Sequence, residues 1–336
     1  MHSLPGPKNL ITDVAGLRVG QVEDHKIRSG VTVLLCDDPA VAGYQVMGGA
    51  PGTRETDLLN PHNMVETVNA LVLSGGSAYG LDAASGVQSY LREHGIGLSV
   101  RGHIVPIVPA AILFDLVNGG DKEWGRYPPY REMGYEAAAS AGLDFALGTA
   151  GAGTGALSAG LKGGLGSASL RLASGITIGA LAAVNPAGSV TVGKTRHFWA
   201  APFEIGEEFG GLGLPSPLPA DAATPRWKWQ DPASAGANTT IAIIATDAKL
   251  TKPEAKRLAI AGHDGFARAI WPAHSPVDGD LVFALATGKS GIAPDHSAAM
   301  DIYAHAAATM ARAIARGVYE ARAVEGDLLP AWGMKG

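Results

Sequence analysis

The chain has 336 residues, 46% hydrophobic and 17% charged, with a formal net charge of -5. That length supports a large core, and the scarcity of charge excludes disorder over most of it. The acidic balance argues against a nucleic-acid binder, and the single Cys36 excludes an internal disulfide, which fits a reducing cytoplasm. The first eight residues hold no apolar run, so no classical signal peptide is expected. Residues 172–193 are without Asp, Glu, Lys or Arg, but glycines and Asn185-Pro186 interrupt them, which reads as buried sheet and not as a membrane span.

In chain order, residues 31–36 (VTVLLC) and 43–47 have the length and β-branched or aromatic content of strands, and glycines 48, 49 and 52 then break the chain. Residues 70–73 read as a buried strand entering the turn Ser74-Gly75-Gly76-Ser77-Ala78-Tyr79-Gly80. A helix to about His94 follows, with Leu81, Val87 and Leu91 on its inner side. Pro106 and Pro109 make 104–114 an edge or a loop. Residues 145–203 contain no Asp or Glu, and their charges are Lys162, Arg171, Lys194 and Arg196. This is either a small-residue sheet core or a cationic site for an anionic intermediate. Residues 202–238, with six prolines, read as a linker or surface excursion. The run 239–246 (TTIAIIAT) is typical of a buried strand. A helix opens at Thr251 with Pro253 early and Glu254 closing a capping box, and continues through Leu258 to Ile270. A second buried strand spans 281–287. The closing helix, 295–318, carries an inner stripe of Ile302, Ala306, Met310 and Ile314.

Three motifs fall short of their chemistry. Residues 188–195 (GSVTVGKT) match the phosphate-loop pattern, yet 189–192 read as a strand and no helix start follows Thr195. A nucleotide-binding protein built on this loop, losing Mg-dependent binding with Lys194, is therefore the lesser reading. The run Gly151-Ala-Gly153-Thr-Gly155 lacks the acidic residue that a dinucleotide site needs about 20 positions on. Gly75-Gly76-Ser77-Ala78-Tyr79 begins like a nucleophile elbow, but Tyr79 fills the second glycine position, so a structural turn is favoured. The ten histidines show no ligand spacing, and Asp278-Gly279-Asp280 alone does not fill a cation site; no metal or cofactor is expected.

One constellation survives. A Pro-rich segment ends at Ala237-Asn238, and Thr239 opens a buried strand at once. A hydroxyl at that junction can attack the preceding carbonyl and cut its own chain. The freed residue would hold a nucleophilic Oγ beside an α-amine titrating near 7.7–8.0, able to serve as its base.

Residues 237–242 (ANTTIA) with Ala245-Thr246-Asp247 resemble the processing site of the DmpA-type peptidase family. That family comprises L-aminopeptidase/D-amidase-esterases, β-peptidyl aminopeptidases and 6-aminohexanoate (nylon) oligomer hydrolases. The likeness spans nearly the whole chain, through 9–13 (NLITD), 16–20 (GLRVG), 73–81 (LSGGSAYGL), Val184-Asn185-Pro186 and Asp278-Gly279-Asp280. It implies an α+β fold, the αββα four-layer sandwich of N-terminal-nucleophile hydrolases. The chain would be one domain over 1–336, self-cut between Asn238 and Thr239 into an α chain (1–238) and a β chain (239–336). By position, Thr239 falls on the nucleophile, Asp278 and Asp280 on the pair that orients it, Lys162 on a site lysine and Asn185 on an oxyanion amide. Asp at both acidic places is the pattern of the nylon-oligomer hydrolases. On this reading Lys162 has no sequence-local carboxylate to compete for it, and Asp278 and Asp280, two apart on an extended strand, share a face.

The expected activity is hydrolysis of short peptides, amides or 6-aminohexanoate oligomers through an acyl-enzyme, in the cytoplasm. No nucleic-acid or membrane partner is expected. A homotetramer of αβ units is expected, with the small residues of helix positions 304–315 packing against a copy. A catalytically silent member of the fold, uncut and inactive, is the remaining rival.

Overall fold

The computed structural model describes residues 3–229 and 238–334. In chain order its elements are β1 (Leu17–Asp24), β2 (Ser29–Val46), β3 (Thr53–Arg54), β4 (Thr67–Ser74), α1 (Ala83–Glu93), β5 (Leu98–Val100), β6 (His103–Val105), β7 (Ala110–Ile112) and α2 (Tyr130–Ala139). There follow β8 (Leu157–Ser158), β9 (Leu161–Lys162), β10 (Gly164–Arg171), β11 (Thr177–Val184), β12 (Ile241–Thr246), α3 (Lys252–Ala269), β13 (Leu281–Ala286) and α4 (His296–Tyr319). The principal sheet runs β10-β11-β12-β13-β2-β4-β7-β3, with β1 also paired to β2.

β2 organises the layers. The sequence suggests two strands here, but the chain stays extended for 18 residues. Its pairing with β4 shifts register between Leu35 and Ala40, around the exposed Asp37-Asp38-Pro39. Such an irregularity bends a strand. The first half pairs with β1 and β4, and the second half with β13.

Each half of the sheet carries helices on one face only. Ile178, Ala180, Ile244 and Val282 pack with Leu258 and Phe266 of α3 and with Ile302, Met310 and Ile314 of α4. Val31, Val33, Ala70 and Val72 pack with Val87 and Leu91 of α1 and with Tyr130 and Met133 of α2. The faces left over meet each other: Leu34, Leu71 and Leu73 from one half touch the same core as Leu181, Ile243, Phe283 and Leu285 from the other. The result is the expected αββα order of layers.

The helix readings hold in detail. Glu254 accepts the Thr251 backbone N–H at 2.7 Å, closing the capping box of α3, and Asp295 caps α4 by accepting Ala298 N–H. The small residues of α4 have a different use from the one expected. Ala306, Ala311, Ala313 and Ala315 are buried within the chain, and a Cβ added at Gly166 of β10 would lie 1.8 Å from the Ala313 carbonyl oxygen. That stripe lets α4 lie close on its own sheet, while Ala304 stays exposed and Ala308 half-buried.

The Pro-rich segment is also more than an excursion, because part of it is anchored to the body. Phe209 is buried in the α3–α4 core, Glu208 pairs with the buried Arg312, and Lys228 is buried as well. The remaining expected linker residues, 230–237, lie outside the described residues.

Candidate active site

The site is a consequence of strand register. β12 and β13 run parallel, with Ile241 opposite Leu281. Parallel pairing brings the residues ahead of both strands to the same end of the sheet, so 238–240 lie beside 278–280. Asn238 forms an isolated parallel bridge with Asp278, and Leu281 N–H donates to the Thr240 carbonyl at 3.2 Å. Thr239 is only 3% exposed. Its hydroxyl donates to the carbonyl oxygen of Asn238, which also accepts Gly279 N–H at 3.2 Å. The Thr239 nitrogen donates to the Asn185 carbonyl at 2.9 Å. A Cβ at Gly279 would lie 2.7 Å from Thr239 Oγ1 and 2.6 Å from the Ala50 carbonyl oxygen, so only glycine fits against the hydroxyl.

The two carboxylates flank this junction, but they do not project from one strand face as expected. β13 begins only at Leu281, and both acids sit in the loop before it. Asp278 accepts Ala187 N–H at 2.9 Å and both the N–H and the hydroxyl of Ser275. Asp280 accepts Thr240 N–H at 2.8 Å through one oxygen, and His274 N–H and Nδ1 through the other. Burial raises the Asp278 carboxyl above its ordinary range, and the neighbouring Asp280 charge adds to this.

Asn185 is fully buried and its amide is held at both ends. Its Oδ1 accepts Leu157 N–H at 2.9 Å and Lys228 Nζ at 2.9 Å, and its Nδ2 donates to the Phe114 carbonyl at 2.9 Å. Lys162 lies opposite Leu157 in the β8–β9 hairpin, but its ammonium is paired with Asp327 at 2.7 Å. A stretch free of acids in sequence is thus not free of them in space: the C-terminal segment brings one in. The structure accordingly joins Asn238, Thr239, Asn185, Asp278 and Asp280 in one hydrogen-bonded group and engages Lys162 beside it.

Three contributors escaped the sequence reading. Gly279 enters the sequence reading only inside the Asp278-Gly279-Asp280 motif, with no role of its own. His274 lies six residues ahead of Asp280, between Pro272 and Pro276. Lys228 was absorbed into the Pro-rich segment, where its one distinguishing mark is the flanking Trp227 and Trp229. Its Nζ donates to the carbonyls of Leu157 and Asn185 and to Asn185 Oδ1. Burial pushes this ammonium down to about 7, with Asp278, Asp115 and Asp280 holding it up.

The phosphate-loop match fails on geometry, although 189–192 do not form the strand expected there. Residues 188–195 run as turns with isolated bridges at Ser189 and Thr191. The next helical turn is the three-residue Ala201–Phe203, so no helix N-terminus meets the loop. Among the described residues, no group of three or more His, Cys, Asp or Glu side chains converges as a metal site requires, and no helix is long and apolar enough to cross a membrane.

Comparison with known proteins adds to this geometry. The chain is 45% identical to an uncharacterized aminopeptidase of Mycobacterium tuberculosis (strain CDC 1551 / Oshkosh), over 95% of this chain and 96% of the relative. It is 28% identical to the 6-aminohexanoate-oligomer endohydrolase of Paenarthrobacter ureafaciens, over 84% and 76% of the two chains. Its fold is similar to that of a Burkholderia sp. beta-aminopeptidase, with TM-score 0.74 at 23% identity over 99% and 93%. The L-aminopeptidase D-Ala-esterase/amidase of Ochrobactrum anthropi, described as a variant of the Ntn hydrolase fold, gives 0.72 at 21% over 98% and 91%. With residues 9–328 matched by its model, the chain belongs to peptidase family S58, and is a hydrolase of peptide or amide bonds.

Proposed function

We propose that this hydrolase matures by cutting itself between Asn238 and Thr239, and that Thr239 is then its N-terminal nucleophile. The observation that carries this reading is the crossing of bonds at one carbonyl: the Asn238 oxygen receives both the Thr239 hydroxyl and Gly279 N–H. Attack of Thr239 Oγ on the Asn238 carbonyl carbon puts negative charge on that oxygen, where Gly279 N–H already points. The C–N bond breaks, the nitrogen leaves as the Thr239 amine with the hydroxyl proton, and water hydrolyses the ester to free the hydroxyl and the Asn238 carboxylate.

In turnover the same atoms act on a substrate. The α-amine takes the Thr239 hydroxyl proton, Oγ attacks the substrate carbonyl, and an acyl-enzyme forms that water releases. Departure of Asn238 leaves Gly279 N–H for the substrate oxygen, and Asn185, whose Nδ2 here donates to the Phe114 carbonyl, is the second donor that the family resemblance assigns. Preorganised donors of this kind are each worth about 3 kcal/mol in the transition state. Asp280 holds the backbone N–H of Thr240 beside the nucleophile, Asp278 holds Ala187 and Ser275 around it, and both supply charge opposite its ammonium.

The substrate class we favour is short peptides with a free amino terminus, since a relative named as an aminopeptidase is similar over almost the entire chain. The second reading, 6-aminohexanoate oligomers, is supported by the endohydrolase relatives and by Asp at both 278 and 280. Mass spectrometry and N-terminal sequencing test maturation: chains of 238 and 98 residues, the second beginning at Thr239, are expected. An active enzyme with one uncut chain overturns the proposal, and an uncut, inactive one marks a silent member of the family. Rates on amino-acid p-nitroanilides against 6-aminohexanoate oligomers then separate the two substrate classes.

A further inference from the structure

We propose that Lys228, in the segment ahead of the cut, is a positioning residue for maturation, fixing the Asn185 amide and the scissile nitrogen through one shared carbonyl. The inference rests on the self-cutting proposed above and extends it to a residue outside the nucleophile's own strand.

Lys228 is held by its main chain as well as its side chain. Its N–H donates to the Ala187 carbonyl at 2.7 Å, while Ala187 N–H donates to Asp278. Its ammonium spends its three donors on Leu157 O at 3.0 Å, Asn185 O at 3.1 Å and Asn185 Oδ1 at 2.9 Å. Asn185 O is also the acceptor of the Thr239 nitrogen, at 2.9 Å. One carbonyl therefore ties the lysine to the bond to be cut.

The second tie is orientational. An ammonium and the Leu157 N–H can both be accepted only by the oxygen of an amide, never by its NH2. Lys228, with Leu157 N–H and Asn118 Nδ2 at 3.3 Å, thus holds the oxygen end of Asn185 inward and leaves Nδ2 on the Phe114 side. Remove the cation, and a buried carbonyl and a buried amide oxygen lose a charge-assisted partner, which is costly when water cannot replace it.

Protonation matters because a neutral amine has two hydrogens for three acceptors. The charged groups facing Lys228 are Asp278 and Asp280 from the loop before β13 and Asp115 from the loop after β7, all favouring its cation against burial. Lys162, across the hairpin from Leu157, is neutralised by Asp327. The lysine therefore loses a proton near pH 7, and one of its three acceptors with it, so self-cutting slows as pH rises through that value.

The test follows cutting of the full chain made by cell-free translation, on gels, from pH 6 to 8.5, for wild type, Lys228→Met and Lys228→Arg. Wild type is expected to show the alkaline fall. Lys228→Met should cut roughly tenfold to a hundredfold more slowly and without that fall, while Lys228→Arg, charged throughout, should lose the fall only. Lys228→Met cutting at the wild-type rate, with the wild-type pH profile, overturns the proposal. Should Lys228→Met not fold, Lys228→Arg decides: a flat profile supports the proposal, and the wild-type fall overturns it. A wild-type chain that itself stays whole overturns the self-cutting reading, an outcome distinct from one in which only the variants behave like wild type.

Discussion

Two strand ends in this fold meet glycines and carry a hydroxyl, and they put those features to opposite use. At the end of β4, Gly76 N–H donates to the Asp115 carboxylate at 2.8 Å, and the Ser29 hydroxyl donates to the same group at 2.7 Å. A Cβ on Gly80 would lie 1.8 Å from the Gly75 carbonyl oxygen. These bonds end on a carboxylate that has no bond to lose, so they lock the turn into α1. At the start of β12 the donors converge instead on the Asn238 carbonyl, which belongs to a bond that can break. A Gly-Ser turn in a strand-turn-helix setting is thus weak evidence for a nucleophile. A hydroxyl with a backbone donor at its own preceding carbonyl is much stronger.

The comparison would break first at Thr239. Thr239→Ala is expected to abolish both chain cutting on gels and amide hydrolysis, with circular dichroism unchanged. Next in size is Gly279→Ala, whose methyl would press on Thr239 Oγ1 and the Ala50 oxygen. Cutting should slow by roughly a hundredfold, since a displaced N–H at the attacked carbonyl costs what an oxyanion donor is worth. Asp280→Asn places an NH2 where His274 N–H and Nδ1 now find an acceptor. Hydrolysis is expected to fall strongly, by roughly tenfold or more, in a protein that still folds. Wild-type turnover in that variant would reduce Asp280 to a scaffold carboxylate.

A smaller effect concerns pH. Burial, reinforced by Asp280, raises Asp278 above its unfolded value of 3.8. An acid that holds its proton longer folded than unfolded contributes stability in full below the unfolded pKa, and that contribution is lost as pH rises through the folded one. Denaturant midpoints should therefore show a fall between pH 4 and neutrality, on the order of 1 kcal/mol, that is flattened in Asp278→Asn. Equal slopes in both proteins would mean that the carboxyl is ionised at no cost.

Much of the layered fold was legible because its signals are local: the β-branched runs at β2 and β12, the capping box of α3 and the Ile302–Met310–Ile314 stripe of α4 all report their own neighbourhoods. The site was legible as far as Thr239, Asn238, Asn185 and the two acids, through the resemblance and the chemistry of the junction. What it lacked was register. Spacing two apart suggested that Asp278 and Asp280 share a strand face, whereas parallel pairing of β12 with β13 sets them in a loop beside 238–240. Lys162 and Lys228 show the same gap: the partner of the first, Asp327, lies 165 residues away, and the second hid in a segment whose prolines announced a linker.

The smallest expected effect falls at the other strand end. Ser77 is the hydroxyl of the elbow-like turn, half-buried, with a left-handed φ of 52° that L residues other than Asn and Asp adopt at some cost. Its backbone N–H donates to the Leu113 carbonyl at 3.0 Å, and Ala preserves that bond. Ser77→Ala should therefore leave self-cutting and turnover unchanged and shift stability by no more than about 0.5 kcal/mol. Ser77→Gly, freed of the left-handed strain, should be as stable or slightly more so. Loss of hydrolysis in a cut, folded Ser77→Ala enzyme would move the nucleophile to the β4 turn and reverse the assignment of the two strand ends.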